Sequence, residues 1–522
     1  MLLTKLPFND TRAFTPFFLD YIQQKETLTP FYSRFPSIEN FNAQLHDKST
    51  FPAEHRNVLV NVLQEQYKNL SIPDEVKSNI TSLRDSKTFT ITTGHQLNIF
   101  TGPLYFIYKI VTVINACKQL KAAYPQYNFV PVYWMASEDH DYDEIKYFRL
   151  YGKKYTWETD QKGAVGRFTL QGMDTLLREV PGEITLFREA YHNNQKLSDA
   201  VRDYVNRLFG NEGLVVVDAD HRSLKSLFKK VIHEDVVENT TKKLVDQTNT
   251  KLEKLGYKAQ IFCRDINFFY LDDGIRNRIE KSENHFKVVD SDIHYTQAEL
   301  NSLIEGEPEK FSPNVILRPL YQEIILPNLG YVGGPAEVIY WLQLKSVFDH
   351  YTIPFPILIP RNFAIVVEHT TQRKLEKTGL ELKDFFEEKN YLFNHWIVKH
   401  APQNLTVGDE RTLVLEIFEK LKSRTEAIDS TLSPFVAAEG KRALNSLEKI
   451  ERKMLRAAKR LHSDKLRQIE MVKDILFPNG SLQERTDNFL NFYQQDQHFI
   501  HTMLELLEPF DFQFNILTYP SA

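Results

Sequence analysis

The stretch from Phe89 to Met135 limits the fold more than any other part of this chain. A short β-rich run, Phe89–Thr93, leads into a polar loop that contains Gly94 and Gly102. A helical pattern then spans Leu104–Ala123, where Ile107, Ile110, Val111, Ile114 and Cys117 recur at three- and four-residue spacing. Pro103 stands at its first turn, where the missing N–H costs nothing. A second apolar run, Phe129–Met135, closes the unit. Strand, helix and strand in this order form a right-handed βαβ crossover. Further runs at Leu214–Asp218, Val315–Leu317 and Phe355–Ile359 are apolar without strict alternation, as in strands covered on both faces. The expected fold class is α/β, with a Rossmann-like doubly wound parallel sheet as core.

At 522 residues the chain exceeds one ordinary domain, so additions to that core are expected. The net charge of -5 supplies no global field for nucleic acid or an anionic membrane. No window approaches the length of apolar sequence that a membrane span needs, and the first residues lack the apolar run of a signal peptide. The two cysteines, Cys117 and Cys263, lie far apart and in no CxxC pair, which argues against a disulfide scaffold or a structural zinc site. Cys117 reads as core filler on its helix. A reducing cytoplasm is the expected compartment.

Two inserts are expected, at about 151–204, opening on a Tyr-Gly-Lys-Lys turn, and at about 275–310. Ala259–Asp273 reads as a hairpin with its turn near Arg264-Asp265. The core with these inserts is expected to occupy residues 1–380. Residues 381–474 are expected to form a helical coiled-coil domain, and residues 475–522 a helical segment returning to the core. Within Asp409–Lys473, Val414, Ile417, Leu421 and Ile428 fall on one repeat. Leu447, Ile450, Met454, Ala457 and Leu461 fall on a second, with heptad spacing. Pro434 and Gly440 mark the expected turn between them. The first helix leans acidic and the second is rich in Lys and Arg, so an antiparallel hairpin would bring opposite charges together. A solvated, paired face is a better reading of those cations than a nucleic-acid contact. With so few heptads, the hairpin needs another surface, either the core or a second subunit.

Four constellations can carry chemistry. Gly94-His95-Gln96 and Thr101-Gly102-Pro103 lie between a strand and a helix, at the carboxyl edge where doubly wound sheets bind ligands. The glycines allow close backbone approach, and the helix start offers N–H groups to an anion, with Lys109 adding a cation. The spacing matches neither GxGxxG nor a P-loop, and a tight structural turn is the bland alternative. Next, Ser137-Glu138-Asp139-His140-Asp141-Tyr142-Asp143-Glu144 follows another strand. Such carboxylates can take a proton from an amine, hold Mg²⁺ beside a phosphate, or bind an ammonium group. A zinc site lacks a second His or Cys at ligand spacing, and no metal ligand is assigned. The bland alternative is a solvated acidic loop.

Third, Tyr331-Val332-Gly333-Gly334-Pro335-Ala336-Glu337 runs into a helix, where Glu337 can serve as a cap or as a ligand contact. Arg318, Gln322 and Glu323 are expected to bracket a Pro-rich strand upstream. Arg361 follows the strand Phe355–Ile359. Arg318 and Arg361 are the natural carboxylate or phosphate binders, because guanidinium forks bind such groups bidentately. Fourth, Pro478-Asn479-Gly480 is a turn signal, and Ser481 to Glu484 resembles a capping box.

Taken together, Gly94-His95-Gln96 with Thr101–Tyr105, Val132–Ile145, Tyr331–Lys345 and Leu476–Arg485 resemble the cysteine-adding enzymes, or cysteine ligases, of bacillithiol biosynthesis. The likeness covers most of the chain, with the four blocks in the family's order. It implies a Rossmann-like core related in shape to class I synthetase folds, and a coiled coil that helps a homodimer form. It also implies addition of cysteine to the glucosamine amine of glucosaminyl-malate, giving bacillithiol. The resemblance thus implies small-molecule substrates, with neither nucleic acid nor membrane as partner. An amide from a free carboxylate needs activation, so ATP or another adenine nucleotide is expected, with Mg²⁺, although no HIGH- or KMSKS-type signature stands out. On this reading Asp139, His140, Asp141 and His95 are the catalytic candidates. Gly94, Gln96, Thr101, Gly102, Ser137, Glu138, Arg318, Gln322, Gly333, Gly334, Glu337 and Arg361 are the substrate-binding candidates. The rival readings are a scaffold with a degenerate core, or another amino-acid ligase or nucleotidyltransferase on the same fold.

Overall fold

The structure is a computed structural model that describes residues 1–282, 285–401 and 404–520, so parts of the expected spans 275–310, 381–474 and 475–522 lie outside the described residues. Its centre is a five-stranded sheet in the order Ile357–Pro360, Asn328–Gly333, Thr88–His95, Asn128–Met135, Val215–Asp218. Every neighbouring pair is parallel. The strand Thr88–His95 is buried at every position, which explains its unbroken apolar and threonine-rich sequence. The helix Tyr105–Ala123 returns the chain from it to Asn128–Met135, so the βαβ unit stands as expected. The order of the strands reverses between Thr88–His95 and Asn328–Gly333, and ligands collect at the carboxyl ends of such a reversal.

Asn328 fastens that seam. Its Oδ1 accepts from the hydroxyls of Thr90 at 3.1 Å and Thr92 at 2.8 Å, and its Nδ2 donates to buried Glu323 at 2.6 Å. Glu323 in turn pairs with buried Lys48 at 3.0 Å.

Two expectations near this sheet give way. Val315–Leu317 is no strand, because Asn314 Oδ1 accepts from Ile316 N at 2.9 Å and turns the chain into the helix Arg318–Ile325. Arg318, Gln322 and Glu323 therefore sit on a helix, not around a strand. The hairpin near Ala259–Asp273 is shifted: its strands are Phe268–Asp272 and Ile275–Ser282, with Asp273-Gly274 at the turn and Gly274 at φ +71°. This hairpin belongs to a second sheet, His294–Thr296, His285–Val288, Ile275–Ser282, Phe268–Asp272, Phe311–Pro313, which lies beside the carboxyl edge. The Tyr-Gly-Lys-Lys turn does join two strands, Tyr147–Leu150 and Lys153–Thr156. A third sheet joins Leu2–Pro7 and Phe363–Val367 to either side of Gln513–Thr518.

The helices Gly408–Glu426 and Ser433–Leu461 form the hairpin expected from the heptads, and the proximity of Arg411 to Glu448 and of Phe418 to Gly440 makes it antiparallel. Its details differ from expectation. The turn lies at Ala427–Leu432, so Pro434 opens the second helix and Gly440 lies inside it. Gly440 has a packing role there, since a Cβ at that position would meet the Phe418 ring at 3.0 Å. The ion pair that crosses the hairpin among the described residues is Arg411–Glu448, of the opposite sense to the expected one. Ile417, Leu421 and Ile428 face outward, as do Ile450 and Leu461, because the packing face of the first helix runs through Val414 and Phe418 instead. No helix among the described residues is long and apolar enough to cross a membrane.

Gly440→Val should cost the hairpin about 1–3 kcal/mol by overpacking against Phe418. Far-ultraviolet circular dichroism on heating should then show an early partial loss of helix while the near-ultraviolet signal of the core persists. An unchanged melt would contradict the close packing.

Candidate functional site

A cavity of about 850 Å³ opens over the carboxyl edge of the central sheet, at the strand reversal. The loop after Thr88–His95 contributes Gly94, His95 and Gln96, and the loop after Asn128–Met135 contributes Ser137, Glu138, Asp139 and His140. The loop after Asn328–Gly333 contributes Gly334 and Glu337, while Arg318 and Arg361 enter from neighbouring elements. Segments distant in sequence therefore meet in one pocket.

Lys109 ties two of these loops together. Its buried ammonium donates to Gly94 O at 2.8 Å and pairs with Glu337 at 2.6 Å. Glu337 also accepts from Tyr331 Oη and from Gly334 N, each at 2.8 Å, so it caps its helix as well as binding Lys109. Burial works to raise the Glu337 carboxyl, but Lys109 and these hydrogen bonds hold it below its ordinary value. The glycines follow from crowding. A Cβ on Gly94 would lie 3.2 Å from Tyr331 Oη and 3.3 Å from Arg318 Nη1, and one on Gly334 would lie 3.3 Å from Glu337 Oε2.

The cations here are not all matched by acids. Arg318 sits among the rings of Trp134, Tyr331 and Trp341, its guanidinium carbon 5.4–5.9 Å from their centres. It donates to Gln322 Oε1 at 3.1 Å, and no carboxylate pairs with it among the described residues. Its Nη2 is buried without a partner, and so are Arg361 Nε and His95 Nε2. Arg361 is otherwise engaged by Glu484 at 2.5 Å. Burial, helped by Lys109 and Arg361 and opposed by Glu337, lowers His95 to about 3, so its imidazole is neutral at physiological pH. All three atoms are buried in side chains that line the cavity, so the wall there has more buried polar groups than partners.

Glu138 and Asp139 are both engaged, while Glu144 at the cavity edge is exposed. Glu138 pairs with buried Lys225, and burial still lifts its carboxyl above the usual range. Asp139 accepts from Gln96 Nε2 at 2.9 Å and lies 3.4 Å from Arg276. Burial opposes its ionisation, yet His140, Arg276 and Gln96 hold it well below the usual carboxylate range. Arg276 Nη1 donates to His140 Nδ1 at 2.7 Å, which leaves the His140 proton on Nε2 as a donor. Ser137 donates to Asp218. Among the described residues no group of three or more His, Cys, Asp or Glu side chains is arranged to hold a metal, and these acids do not fit a protein-only Mg²⁺ site because cations and donors already face them.

Several expected site residues lie elsewhere. Thr101 and Gly102 form a seat for the C-terminal segment: Asn488 Nδ2 donates to Phe100 O at 2.7 Å and Gly102 O at 2.6 Å. Leu104 N donates to Asp487 O at 2.7 Å, so backbone takes the helix start expected to meet an anion. Asp141 precedes the short helix Tyr142–Ile145 and points to solvent. Gln322 lies behind Arg318 and supports it. Gly333 lies behind the cavity, and its carbonyl accepts from Arg361 N at 2.9 Å. The capping box at Ser481–Glu484 is absent too: Gln483 and Glu484 accept from Val366 N and Ala364 N at a strand edge.

Arg276, Lys225, Arg264 and Arg485 are absent from the functional candidates of the sequence, and Arg276, Arg264 and Arg485 line the cavity. Arg485 lay inside a block read as structural. Nothing in local spacing marks Lys225 or Arg276, whose partners are 87 and 137 residues away.

Comparison with known proteins gives a consistent picture. The family described as "Bacillithiol biosynthesis BshC, N-terminal Rossmann-like domain" matches residues 1–362, and "Bacillithiol biosynthesis BshC, C-terminal coiled-coil domain" matches residues 364–519. A relative in Flavobacterium johnsoniae is 41% identical over 98% of this chain and 99% of its own. One in Christiangramia forsetii is 39% identical over 98% of each chain. Both carry the name "Putative cysteine ligase BshC". A solved chain from Campylobacter jejuni described as a "putative arginyl t-RNA synthetase" aligns over 84% of this chain at 10% identity, but its TM-score of 0.22 carries no argument.

Histidine ordinarily titrates near 6.5. An unfolded chain therefore binds a proton at position 95 that the folded chain refuses, and the stability from neutral His95 is present above about pH 6.5 and lost as pH falls toward about 3. Denaturant unfolding of the wild type against His95→Gln should show the difference in unfolding free energy falling by about 1.4 kcal/mol per pH unit between about pH 6 and pH 4. A pH-independent difference would place His95 in contact with water.

Proposed function

This chain belongs to the bacillithiol-biosynthesis BshC family, with both the Rossmann-like and the coiled-coil domain, and from that premise we propose that it joins L-cysteine to glucosaminyl-malate to complete bacillithiol. Relatives named as cysteine ligases support the ligase class. The observation that carries the substrate reading is the set of orphaned donors, Arg318 Nη2 and Arg361 Nε beside His95 Nε2, at the strand reversal. They suit the malate carboxylates of the acceptor substrate.

The reaction forms a C–N bond between the cysteine carboxyl carbon and the sugar amine: the ammonium first gives a proton to water, the free amine attacks, the C–O bond to the activating group breaks with its electron pair leaving on that oxygen, and the remaining extra N–H proton passes to water. Asp139 has too little proton affinity to serve as the base, and with Gln96, Arg276 and the His140 N–H already on it, its role is to hold Arg276 and His140 in place beside the reacting groups. Neutral His95 and the His140 Nε2–H act as hydrogen-bonding groups toward the reacting carbonyl. An adenine nucleotide is the expected source of activation, and any Mg²⁺ would arrive with its phosphates.

The same reading makes the protein a cytoplasmic homodimer through its helical hairpin. Ile417 is 54% exposed, Ile428 80% and Phe435 63%, which leaves an apolar face on a hairpin of marginal length.

Purified protein given cysteine, glucosaminyl-malate and ATP–Mg²⁺ should yield bacillithiol by mass spectrometry, and omission of nucleotide should abolish it. Arg318→Gln should raise KM for glucosaminyl-malate about tenfold or more through loss of a charge-assisted contact. No product under any nucleotide or metal condition would overturn the ligase reading. Sedimentation of the wild type should show a dimer, and Ile417→Glu with Ile428→Glu should show monomer that keeps its helical signal; a dimer in both would place the interface elsewhere.

A further inference from the structure

The loop between the helix Thr240–Lys254 and the strand Phe268–Asp272 presents an unusual combination. Phe262 is 79% exposed, yet it lines the mouth of the main cavity together with Val315, which is 44% exposed. Arg264 lines the same cavity, is exposed, and has no acidic partner among the described residues. Exposed side chains on a loose loop would mean little, but this loop is fixed at both ends.

At one end, buried Gln343 accepts from Gln260 N at 2.8 Å and Ile261 N at 3.2 Å, and donates to Ile261 O at 2.9 Å. At the other, buried Asn267 donates its N–H to Asp235 at 2.6 Å and its Nδ2 to Asp235 at 3.0 Å and to Arg264 O at 3.0 Å. Between them the Cys263 side chain is buried, which turns its two neighbours outward. Asn267 Oδ1 also accepts from Asn314 Nδ2 at 3.0 Å, and Asn314 O accepts from Arg318 N at 2.9 Å. One pair of asparagines therefore sets the loop in register with Arg318.

We infer that Phe262 and Arg264 are substrate-contacting, specificity-determining residues: Phe262 and Val315 pack on the apolar face of the sugar ring of the acceptor substrate, and Arg264 takes an anionic group of that same molecule. The inference rests on the substrate reading above. An exposed aromatic ring on a fixed backbone, beside an unpaired guanidinium, stabilises little in the free protein, whereas a ligand with an apolar face and a carboxylate would cover both. Gln343, Asn267 and Asn314 act as positioning residues.

The test uses the full-length protein with Phe262→Trp as a reporter, read as the difference from the wild type, which has four tryptophans of its own. Glucosaminyl-malate, malate alone and ATP–Mg²⁺ alone are titrated separately, with calorimetry in parallel on the wild type. The expected result is a saturable emission change with glucosaminyl-malate, a smaller one or none with malate, and none with ATP–Mg²⁺. Adding Arg264→Gln should weaken glucosaminyl-malate binding about tenfold, the loss of one charge-assisted contact. A response to ATP–Mg²⁺ alone would assign the loop to a nucleotide phosphate and overturn the inference. So would calorimetric binding of glucosaminyl-malate with no emission change, or a dissociation constant unmoved by Arg264→Gln. Absence of glucosaminyl-malate binding to the wild type would instead defeat the substrate reading itself.

Discussion

A single buried ammonium sets the geometry on which the site depends. Lys109 rises from the helix after the first sheet strand, takes the carbonyl of Gly94, and crosses the strand reversal to Glu337 on the helix after the fourth. Lys109 is enclosed while the Glu337 side chain is 25% exposed, and each partner has further hydrogen bonds that support the pair. With those loops fixed, the missing side chain of Gly94 leaves space for Tyr331 and the Arg318 guanidinium, and that of Gly334 for the Glu337 carboxylate. Removal of the Glu337 charge would leave the Lys109 ammonium buried without compensation, which is the costly case for such pairs.

From that lock follows an electrostatic asymmetry. On the side of Glu138 and Asp139, each acid faces a cation, Lys225 or Arg276. On the side of Arg318 and Arg361, the polar atoms outnumber their partners. A wall of this kind favours an anion, and a small turn of the Arg318 or Arg361 side chain would bring its buried donor to one. The clustered acids that look like the chemical centre in the linear chain are largely engaged in building the wall.

What could be read from the sequence follows from the range of the forces involved. The strand Thr88–His95 and the helix Tyr105–Ala123 are fixed by burial that repeats within a few residues, so their pattern is visible locally. Three glycine- or acid-rich blocks pointed to the carboxyl edge, and Gly94, His95, Asp139 and Glu337 from them do meet there with Arg318 and Arg361. Val315–Leu317 misled because three apolar residues carry no period, and the Asn314 side chain that turns the chain into a helix outweighs their β preference. Thr101 and Gly102 misled because a loop that seats Asn488, hundreds of residues away, has the same composition as one that seats a ligand. The helical hairpin was legible as a pair but not in its facing, because Phe418 and Gly440 set the contact and turn Ile417 and Ile428 outward.

The central claim is that the unmatched guanidinium atoms exist to receive the carboxylates of an acceptor substrate. A crystal structure of the protein with glucosaminyl-malate tests it most directly. The account predicts carboxylate oxygens at about 2.7–3.1 Å from both Arg318 Nη2 and Arg361 Nε. Carboxylates bound elsewhere, with those two atoms still unpartnered, would contradict it.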